Sequence, residues 1–367
     1  AALREHFSLR HVWDLGDTRL FDAAVLPAVI AARGRATGQS DSPRFTSIYE
    51  VKEPGTAHAP DPLAALEREG IVEVGDGRRF KVQHGTLDNS GANDEVWRIR
   101  SASGDRWLDT VARRTWRRFG DIGKIRVGVK TCADKVFIRH DWDAAFAEQK
   151  PELLRPLTTH HVAGRFRSVA ARHTREILYP HAVVHGQRQA IPLADFPKSQ
   201  AYLESHRATL ERRSYVHAAG REWYELWVPQ DPQAWALPKL VFRDISERPT
   251  FWMDLEGSVV NGDCYWMVAS RADAVDLLWL AAAVANSTFA EAFYDRRFNN
   301  KLYAGRRRFI TQYVEQFPLP DPSLPLSQEI VGCAKALHAA NHAAGAPAME
   351  DELNAQVWRA FGHPGVG

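Results

Sequence analysis

Basic side chains are concentrated between residues 110 and 140. This stretch has nine lysines and arginines against two aspartates, in a chain whose net charge is only +2. A local surplus of this kind predicts an anionic partner, and glycines at 120 and 123 would let the backbone approach it closely. A solvated charged face is the alternative. We expect phosphate contacts along DNA from Arg113, Arg114, Arg117, Arg118, Lys124, Arg126 and Lys130.

A turn is predicted inside this stretch by the sequence Gly-Val-Lys-Thr at 128–131, between two strands. Lys130, with Thr131 beside it, could reach a phosphate or donate to the O6 and N7 atoms of guanine. An ordinary hairpin turn without any DNA contact is the alternative for both residues.

A second basic segment lies between residues 290 and 313, with six basic and two acidic residues. Aromatic residues, among them Phe298, interleave with the arginines, a pattern typical of groove contact with stacking or wedging. Cations that complement a helix C-terminus are the alternative. The DNA-binding candidates in this segment are Arg296, Arg297, Lys301, Tyr303, Arg306, Arg307 and Arg308.

Two further patterns could carry metal chemistry. Asp41 followed by Glu50-x-Lys52 resembles the carboxylates and lysine with which some nucleases hold Mg²⁺, although so short a pattern is common by chance. His338 and His342 share a helix face, but no third ligand is evident, so we expect surface histidines.

The elements that position these residues are short strands and a few marked helices. An apolar strand over Ala23–Ala32 contains Pro27, which places it at a sheet edge or at a bulge. Asp61 followed by Pro62 marks a helix start, and Gly70 marks its end.

Four longer helical patterns follow in the second half. Residues 197–213 are amphipathic, with apolar residues at helical spacing. A capping pattern at Ser270 begins a long helix that reaches about Tyr294. The tail predicts helices over Ser327–Ala343 and Met349–Phe361.

Composition limits the class of protein. Apolar residues make up 45% of the chain, enough for a sizeable core. Three cysteines without CxxC spacing suit a reducing cytosol, and the longest apolar run, Leu277–Ala285, is too short to cross a bilayer. With no signal-peptide pattern at the start, we expect a cytoplasmic protein. Several tryptophans should form the core and one or two could face DNA, among Trp223, Trp227, Trp235, Trp252, Trp266 and Trp279.

The basic stretch also carries a family resemblance. Ten of its residues form a pattern of residue types at particular intervals: Phe119, Gly120, Asp121, Ile122, Ile125, Gly128, Val129, Thr131, Phe137 and Ile138. This spacing resembles the entry to the DNA target-recognition region of TaqI-type adenine-N6 DNA methyltransferases, where the pattern reads roughly LGDI-x-x-I-x-x-G-I-x-T-G-x-x-x-x-F-I. Cys132 stands where the family usually has glycine.

Other matches to the family occur in order along nearly the whole chain. The segment up to residue 35 resembles the last two strands of the family's catalytic domain. The "I-x-Y-P-Y" strand has a counterpart with His181 for the second tyrosine. Further counterparts are Tyr202-Leu203 through Leu210 and Arg213, Trp223, Pro238–Val241, Asn286-Ser287, Phe317–Pro320 and the final ELNAQVWRAFG.

Two catalytic motifs of such enzymes do not occur in the sequence. One is a glycine-rich loop after a strand that holds S-adenosylmethionine; the other is an Asn/Asp/Ser-Pro-Pro-aromatic tetrapeptide that grips the flipped adenine. The resemblance therefore implies a chain that is not catalytic by itself. S-adenosylmethionine would be bound by a catalytic methyltransferase domain, in cis or in trans.

These observations predict an α+β fold: the edge of a methyltransferase sheet, then a mixed, mostly β target-recognition domain with closing helices. The expected segments are 1–35, the final strands of a methyltransferase-like domain; 36–118, a linker and small α+β segment; 119–321, the DNA target-recognition domain; and 322–367, the C-terminal helices. The expected function is recognition of double-stranded DNA for a restriction-modification or phage-defence methyltransferase. A Mg²⁺-dependent nuclease module and a non-enzymatic scaffold that binds nucleic acid or protein are the alternatives.

Overall fold

The computed structural model describes residues 6–21, 25–34, 42–55, 57–88, 98–100, 102–169, 174–271, 274–298, 306–340 and 345–364, with the backbone alone at 98–100, 102 and 103. The chain divides into two compact units. The first unit comprises residues 1–114, 245–248 and 288–308; the second comprises residues 115–244, 249–287 and 309–367. The four segments expected from the sequence stay a prediction.

The strands are mostly short. In chain order they are β1 (Phe7–Asp14), β2 (Ala28–Gly34), β3 (Arg44–Glu50), β4 (Ala57–Ala59), β5 (Gly70–Val74), β6 (Arg79–Asp88), β7 (Arg98–Arg100), β8 (Arg117–Arg118), β9 (Ile125–Val127), β10 (Ile138–Arg139), β11 (Leu154–Thr158), β12 (Arg175–Leu178), β13 (His181–Val184), β14 (Gln187–Ala190), β15 (Lys239–Arg243), β16 (Ile245–Ser246), β17 (Phe251–Asp254), β18 (Val259–Val260), β19 (Cys264–Met267), β20 (Arg307–Arg308) and β21 (Pro318–Leu319).

The helices are longest near the C-terminus. They are α1 (Pro62–Ala65), α2 (Ala102–Arg114), α3 (Phe119–Ile122), α4 (Asp134–Phe137), α5 (Trp142–Phe146), α6 (Pro197–Ser205), α7 (Arg207–Glu211), α8 (Ser214–Ala218), α9 (Val275–Asn286), α10 (Thr288–Arg297), α11 (Thr311–Val314), α12 (Pro325–Ala339) and α13 (Ala346–Ala360). Mixed helices and strands in several sheets confirm the predicted α+β class. Within the described ranges, no helix is long and apolar enough to cross a membrane.

The first unit is built on one sheet in the order β2-β1-β3-β6-β5-β4, with β7 also paired to β6. β1 runs antiparallel to β2 and parallel to β3. The predicted helix start is confirmed, because the Asp61 side chain accepts a hydrogen bond from the Ala64 N–H at 2.9 Å. The predicted strand at 23–32 begins after Pro27, as β2, and forms the end of the described sheet.

The second unit contains two four-stranded sheets, β10-β12-β11-β18 and β17-β15-β19-β9. Their shared core is rich in aromatic side chains, among them the fully buried Trp142, Trp235, Trp252 and Trp266. This confirms that several of the tryptophans are core residues. Trp227 is only half-buried and packs edge-on against the exposed Tyr215, with ring centroids 4.9 Å apart.

Two predictions about continuous elements are wrong. The long helix expected to reach Tyr294 ends at Asn286, because Ser287 has an extended backbone (ψ 158°) and its hydroxyl donates to the Val284 carbonyl at 2.6 Å. The Asn286 amide then pairs with the backbone of Phe251, accepting at 3.0 Å and donating at 2.8 Å. After the 128–131 turn, α4 comes before β10, where a strand was expected.

Candidate nucleic-acid interface

The turn at 128–131 is fixed by a close approach of two backbones. Gly128 donates to the Cys264 carbonyl at 2.9 Å, and Val129 donates to the Val260 carbonyl at 2.8 Å. A Cβ atom at Gly128 would lie 2.0 Å from the Asn261 carbonyl oxygen. Only glycine fits there, so the glycine that marked this turn in the sequence serves the packing of the chain against itself.

Lys130 and Thr131 point in different directions from this turn. Lys130 exchanges two backbone hydrogen bonds with Val228, at 3.0 and 2.9 Å, and its side chain is exposed. Thr131 is 1% exposed; its hydroxyl donates to the Asp134 carboxylate and accepts from the Ala133 N–H at 2.9 Å. The structure thus gives Thr131 the turn-holding role that was the alternative, while Lys130 is free to contact a ligand.

Cys132 completes the turn in the left-handed region, with φ +53°. The residue stands at the position where the resembling family has glycine, and its positive φ explains that preference, because only glycine adopts this conformation without a steric cost. The turn therefore forms in this chain with a cysteine at a strained position.

A buried arginine anchors the same turn. Arg213 is 5% exposed, and its guanidinium donates to four carbonyls: Thr131 and Glu225 at 2.9 Å each, Trp223 at 2.7 Å and Leu210 at 3.2 Å. Burial lowers the pKa of this guanidinium. This arginine and leucine are the ones that carry the "YL-x-x-x-x-x-x-L-x-x-R" resemblance, so the motif joins α6 and α7 to the turn that presents Lys130.

The seven basic side chains predicted between 113 and 130 are largely open to solvent. All are exposed except Arg126, which is half-buried with its guanidinium 5.6 Å from the Trp266 ring centroid. Arg117 lies over the exposed Trp116 at 4.4 Å. None of the seven forms an ion pair with a carboxylate of the described residues. They therefore stay available to anions outside the chain.

The basic side chains of the second segment differ in exposure and in their contacts. Arg307 is 12% exposed and forms a bidentate ion pair with Asp295, at 2.8 and 2.9 Å. Arg296 lies over Trp107 at 4.7 Å, and Arg297 over Phe298 at 5.8 Å. Arg306 and Arg308 are exposed. Lys301 and Tyr303 lie outside the described residues.

The metal hypotheses gain no support from the geometry. Glu50 and Lys52 are exposed, and Asp41 lies outside the described residues. Across the part of the chain that is described, no group of three or more His, Cys, Asp or Glu side chains could hold a metal ion. The expected surface histidine at 338 is instead half-buried: its Nδ1 lies 3.0 Å from the Phe166 carbonyl and its ring packs on Trp279. His342 lies outside the described residues.

A polar groove in the second unit was not predicted. It occupies about 670 Å³ at one end of the sheet β10-β12-β11-β18. Its ionisable lining comes from Arg167, Arg175, His140, His161 and Glu256. These residues belong to segments far apart in sequence, so no local motif marks them.

Comparison with known proteins finds a family model that matches part of the second half of the chain. Residues 195–319 match the TaqI-like C-terminal specificity domain. The chain is 35% identical over 346 residues to the type II methyltransferase M.BanIII of Aneurinibacillus aneurinilyticus, covering 91% of this chain and 60% of that protein. It is 26% identical over 237 residues to the type II methyltransferase M.BstVI of Geobacillus stearothermophilus, covering 63% of this chain and 39% of that protein.

A solved structure shares the fold. The type IIL restriction-modification enzyme MmeI, determined in complex with DNA, superposes with a TM-score of 0.56 at 10% identity, over the whole of this chain and 44% of that one. The chain thus spans at most three fifths of the length of these relatives. The resemblance found in the sequence is confirmed, because residues 195–319 match the TaqI-like C-terminal specificity domain.

Proposed function

We propose that this chain recognises a sequence in double-stranded DNA for an adenine-N6 methyltransferase of a restriction-modification or phage-defence system. The specificity domain at 195–319 and the names of its methyltransferase relatives support this function. The Mg²⁺-dependent nuclease is not favoured by either.

One observation of the structure carries the proposal. The seven basic side chains from Arg113 to Lys130 have no carboxylate partner among the described residues, whereas several arginines elsewhere do. Arg139 pairs with Asp141 at 2.8 Å, and Arg207 pairs with both Glu204 and Glu211. Seven cations without carboxylate partners within 18 residues of sequence are the expected footprint of phosphate binding.

In this mechanism the chain positions the DNA and reads its sequence. Exposed cations such as Arg117, Arg118 and Lys124 bind phosphates and set the register of the protein on the duplex. Lys130 is carried toward the DNA by a turn that is locked by Gly128 and Arg213. Methyl transfer belongs to a catalytic domain, in cis or in trans, because the motifs that bind S-adenosylmethionine and the flipped adenine are absent from this sequence. We place the protein in the cytoplasm, where the chromosome lies.

The end strand of the first unit offers a place for that catalytic domain. β2 has no further partner on its outer side among the described strands. Its Val29 and Ile30 side chains are 44% and 39% exposed. Open backbone groups beside exposed apolar side chains are what an added strand would cover. This agrees with the proposal that residues 1–35 end a methyltransferase sheet.

A salt series tests the DNA-binding part. Affinity for duplex DNA is measured against salt concentration for the native chain, for the variant R117Q/R118Q and for the control R207Q/R212Q, which removes two exposed arginines outside the basic stretch. Each lost phosphate contact should reduce the slope of log K against log salt by about 0.9, so R117Q/R118Q should lose about 1.8. The control should keep the native slope.

The contrary results are equally clear. If both double variants change the slope alike, the basic stretch is ordinary surface. If the native chain binds an acidic polymer as tightly as duplex DNA at matched salt, the chain is a non-enzymatic scaffold. The catalytic part is tested separately, by adding the catalytic domain with S-adenosylmethionine and assaying N6-methyladenine in DNA.

A further inference from the structure

The groove at the end of the sheet β10-β12-β11-β18 is formed by the register of its strands. Arg175 at the start of β12 lies opposite Leu157 of β11, and Leu157 lies opposite Val259 of β18. His140 follows β10 at the same end, and Thr159 follows β11. Four separate segments therefore deliver side chains to one depression.

Three charged side chains of this groove have no ion pair with another described residue. The Arg167 guanidinium makes one weak contact, donating to the Ser168 carbonyl at 3.3 Å. Arg175 and Glu256 have no side-chain hydrogen bond or ion pair within the described ranges. The neighbouring Arg165 is different, because it pairs with Glu350 at 2.6 Å.

Rigid backbone holds two of these side chains in place. Glu256 and Gly257 both donate their N–H groups to the Asp254 carboxylate, at 2.9 and 3.2 Å. Asp254 is itself held by the fully buried Lys239, with 3.2 Å between the ammonium and carboxylate atoms. The turn that presents Glu256 is therefore tied to the core through a buried ion pair.

Arg167 is presented in a similar way. It follows Phe166, which is fully buried with φ +69° and is bonded to β17 through both backbone groups, at 2.7 Å to Phe251 and 3.0 Å to Met253. A positive φ at a buried aromatic residue persists only when its surroundings determine it. Arg167 thus leaves the core from a fixed point.

His161, which lines the groove, packs against a second histidine. The His160 imidazole bonds to the Asp263 carboxylate, and the His161 ring lies against it with centroids 3.9 Å apart. The positive potential of His160, together with burial and Arg175, lowers the pKa of His161. His161 is therefore neutral at pH 7 and can both donate and accept a hydrogen bond.

The groove differs from a phosphate-binding surface because it contains a carboxylate. Glu256 would repel a phosphate, but a carboxylate is a suitable acceptor for the exocyclic amino group of cytosine. Arginine is the corresponding donor to O6 and N7 of guanine. We propose that this groove reads base edges of the bound DNA, with Arg167 and Arg175 directed to guanine and Glu256 to cytosine.

This assignment rests on the proposed function and names residues that determine specificity. It also separates two classes of side chain. Arg117 and Arg118 should affect affinity for every DNA sequence alike, whereas groove residues should affect the choice of base at particular positions.

The test is selection of bound duplexes from a random DNA library, followed by sequencing. The native chain is compared with E256Q and R175K, both of which keep side-chain size or charge, and with the exposed controls E148Q and R212K. Thermal unfolding of each variant verifies that it is folded. We expect E256Q and R175K each to lose about tenfold discrimination at one or two G·C pairs, with the salt slope unchanged.

Each of the other outcomes contradicts either the base-reading assignment or the proposed function. If folded groove variants select the native motif, or lose affinity uniformly for all sequences, the groove does not read bases. If the native chain binds all duplexes equally, the base-reading assignment fails while DNA binding stands. If the native chain retains no duplex even at low salt, the proposed function itself fails.

Discussion

Replacing Arg213 by lysine should destabilise the second unit by about 4 kcal/mol. The guanidinium donates to the carbonyls of Thr131, Leu210, Trp223 and Glu225 from a 5% exposed position. Lysine keeps the charge but concentrates its donors on one atom, which cannot span a fork of four carbonyls. We take two carbonyls as left unpaired, at about 1 to 3 kcal/mol each.

The assay is urea unfolding of the full chain, followed by tryptophan fluorescence, since Trp223 lies beside the guanidinium. With a slope of about 2 kcal/mol per molar urea, the midpoint should fall by about 2 M. The control is R212K, because Arg212 is exposed and, among the described residues, its side chain donates only to the Thr209 hydroxyl, at 3.2 Å. A surface change of this kind should stay within about 0.5 kcal/mol.

The result that would refute this reasoning is an R213K midpoint within about 0.5 M of the R212K midpoint. In that case the lysine ammonium would stabilise the second unit as well as the guanidinium does. Anchoring of the turn that contains Lys130 would then not explain the "L-x-x-R" spacing that the chain shares with the family. A lower midpoint with unchanged DNA affinity under folding conditions would show that the anchor supports folding and does not shape the interface.

Two further predictions concern acid stability and close packing. Burial lowers the pKa of His181 to about 3, below the 6.5 of an unfolded histidine, so its stabilising effect is complete above pH 6.5 and is lost as the pH falls toward 3. At pH 5 the native chain should have lost about 2 kcal/mol relative to H181Q, measured by urea unfolding at pH 7.5 and 5, whereas the exposed H217Q should behave as native. Gly128→Ala should lower the stability by about 1 to 3 kcal/mol, because its Cβ would meet a backbone oxygen. Gly332→Ala, at an open position within a helix, should raise the stability by about 0.5 to 1 kcal/mol. Thermal unfolding of the two variants checks the packing argument, because their midpoints should shift in opposite directions.

The turn at 128–131 shows what sequence pattern can and cannot provide. Glycine followed by a basic and a polar residue correctly marks a turn, because backbone requirements are local. Whether Lys130 or Thr131 faces outward depends on Asp134 and Arg213, which close around Thr131 after folding. The spacing of residues along the chain does not indicate which of the two side chains faces outward, so the sequence predicts both residues as candidates.

The same limit applies to the basic segments. Residues 306, 307 and 308 are three adjacent arginines. Arg307 forms a bidentate ion pair with Asp295, twelve positions away. A count of charges predicts that a segment is basic, and this prediction needs no structure. Which of these cations forms an ion pair depends on the pairing of β20 with β16 and on the position of α10, both of which are tertiary features.

The groove could not be predicted, because its chemistry is created by strand register. Glu256 and Arg175 are 81 positions apart and neither belongs to a motif; β11 brings them together by pairing antiparallel with β12 and parallel with β18. Since a slip of one residue would turn Arg175 to the opposite face of the sheet, the register also determines whether the groove is charged at all. A specificity domain can therefore keep its core sequence and change what it recognises through a few side chains at strand ends, and these are the positions that a motif search does not detect.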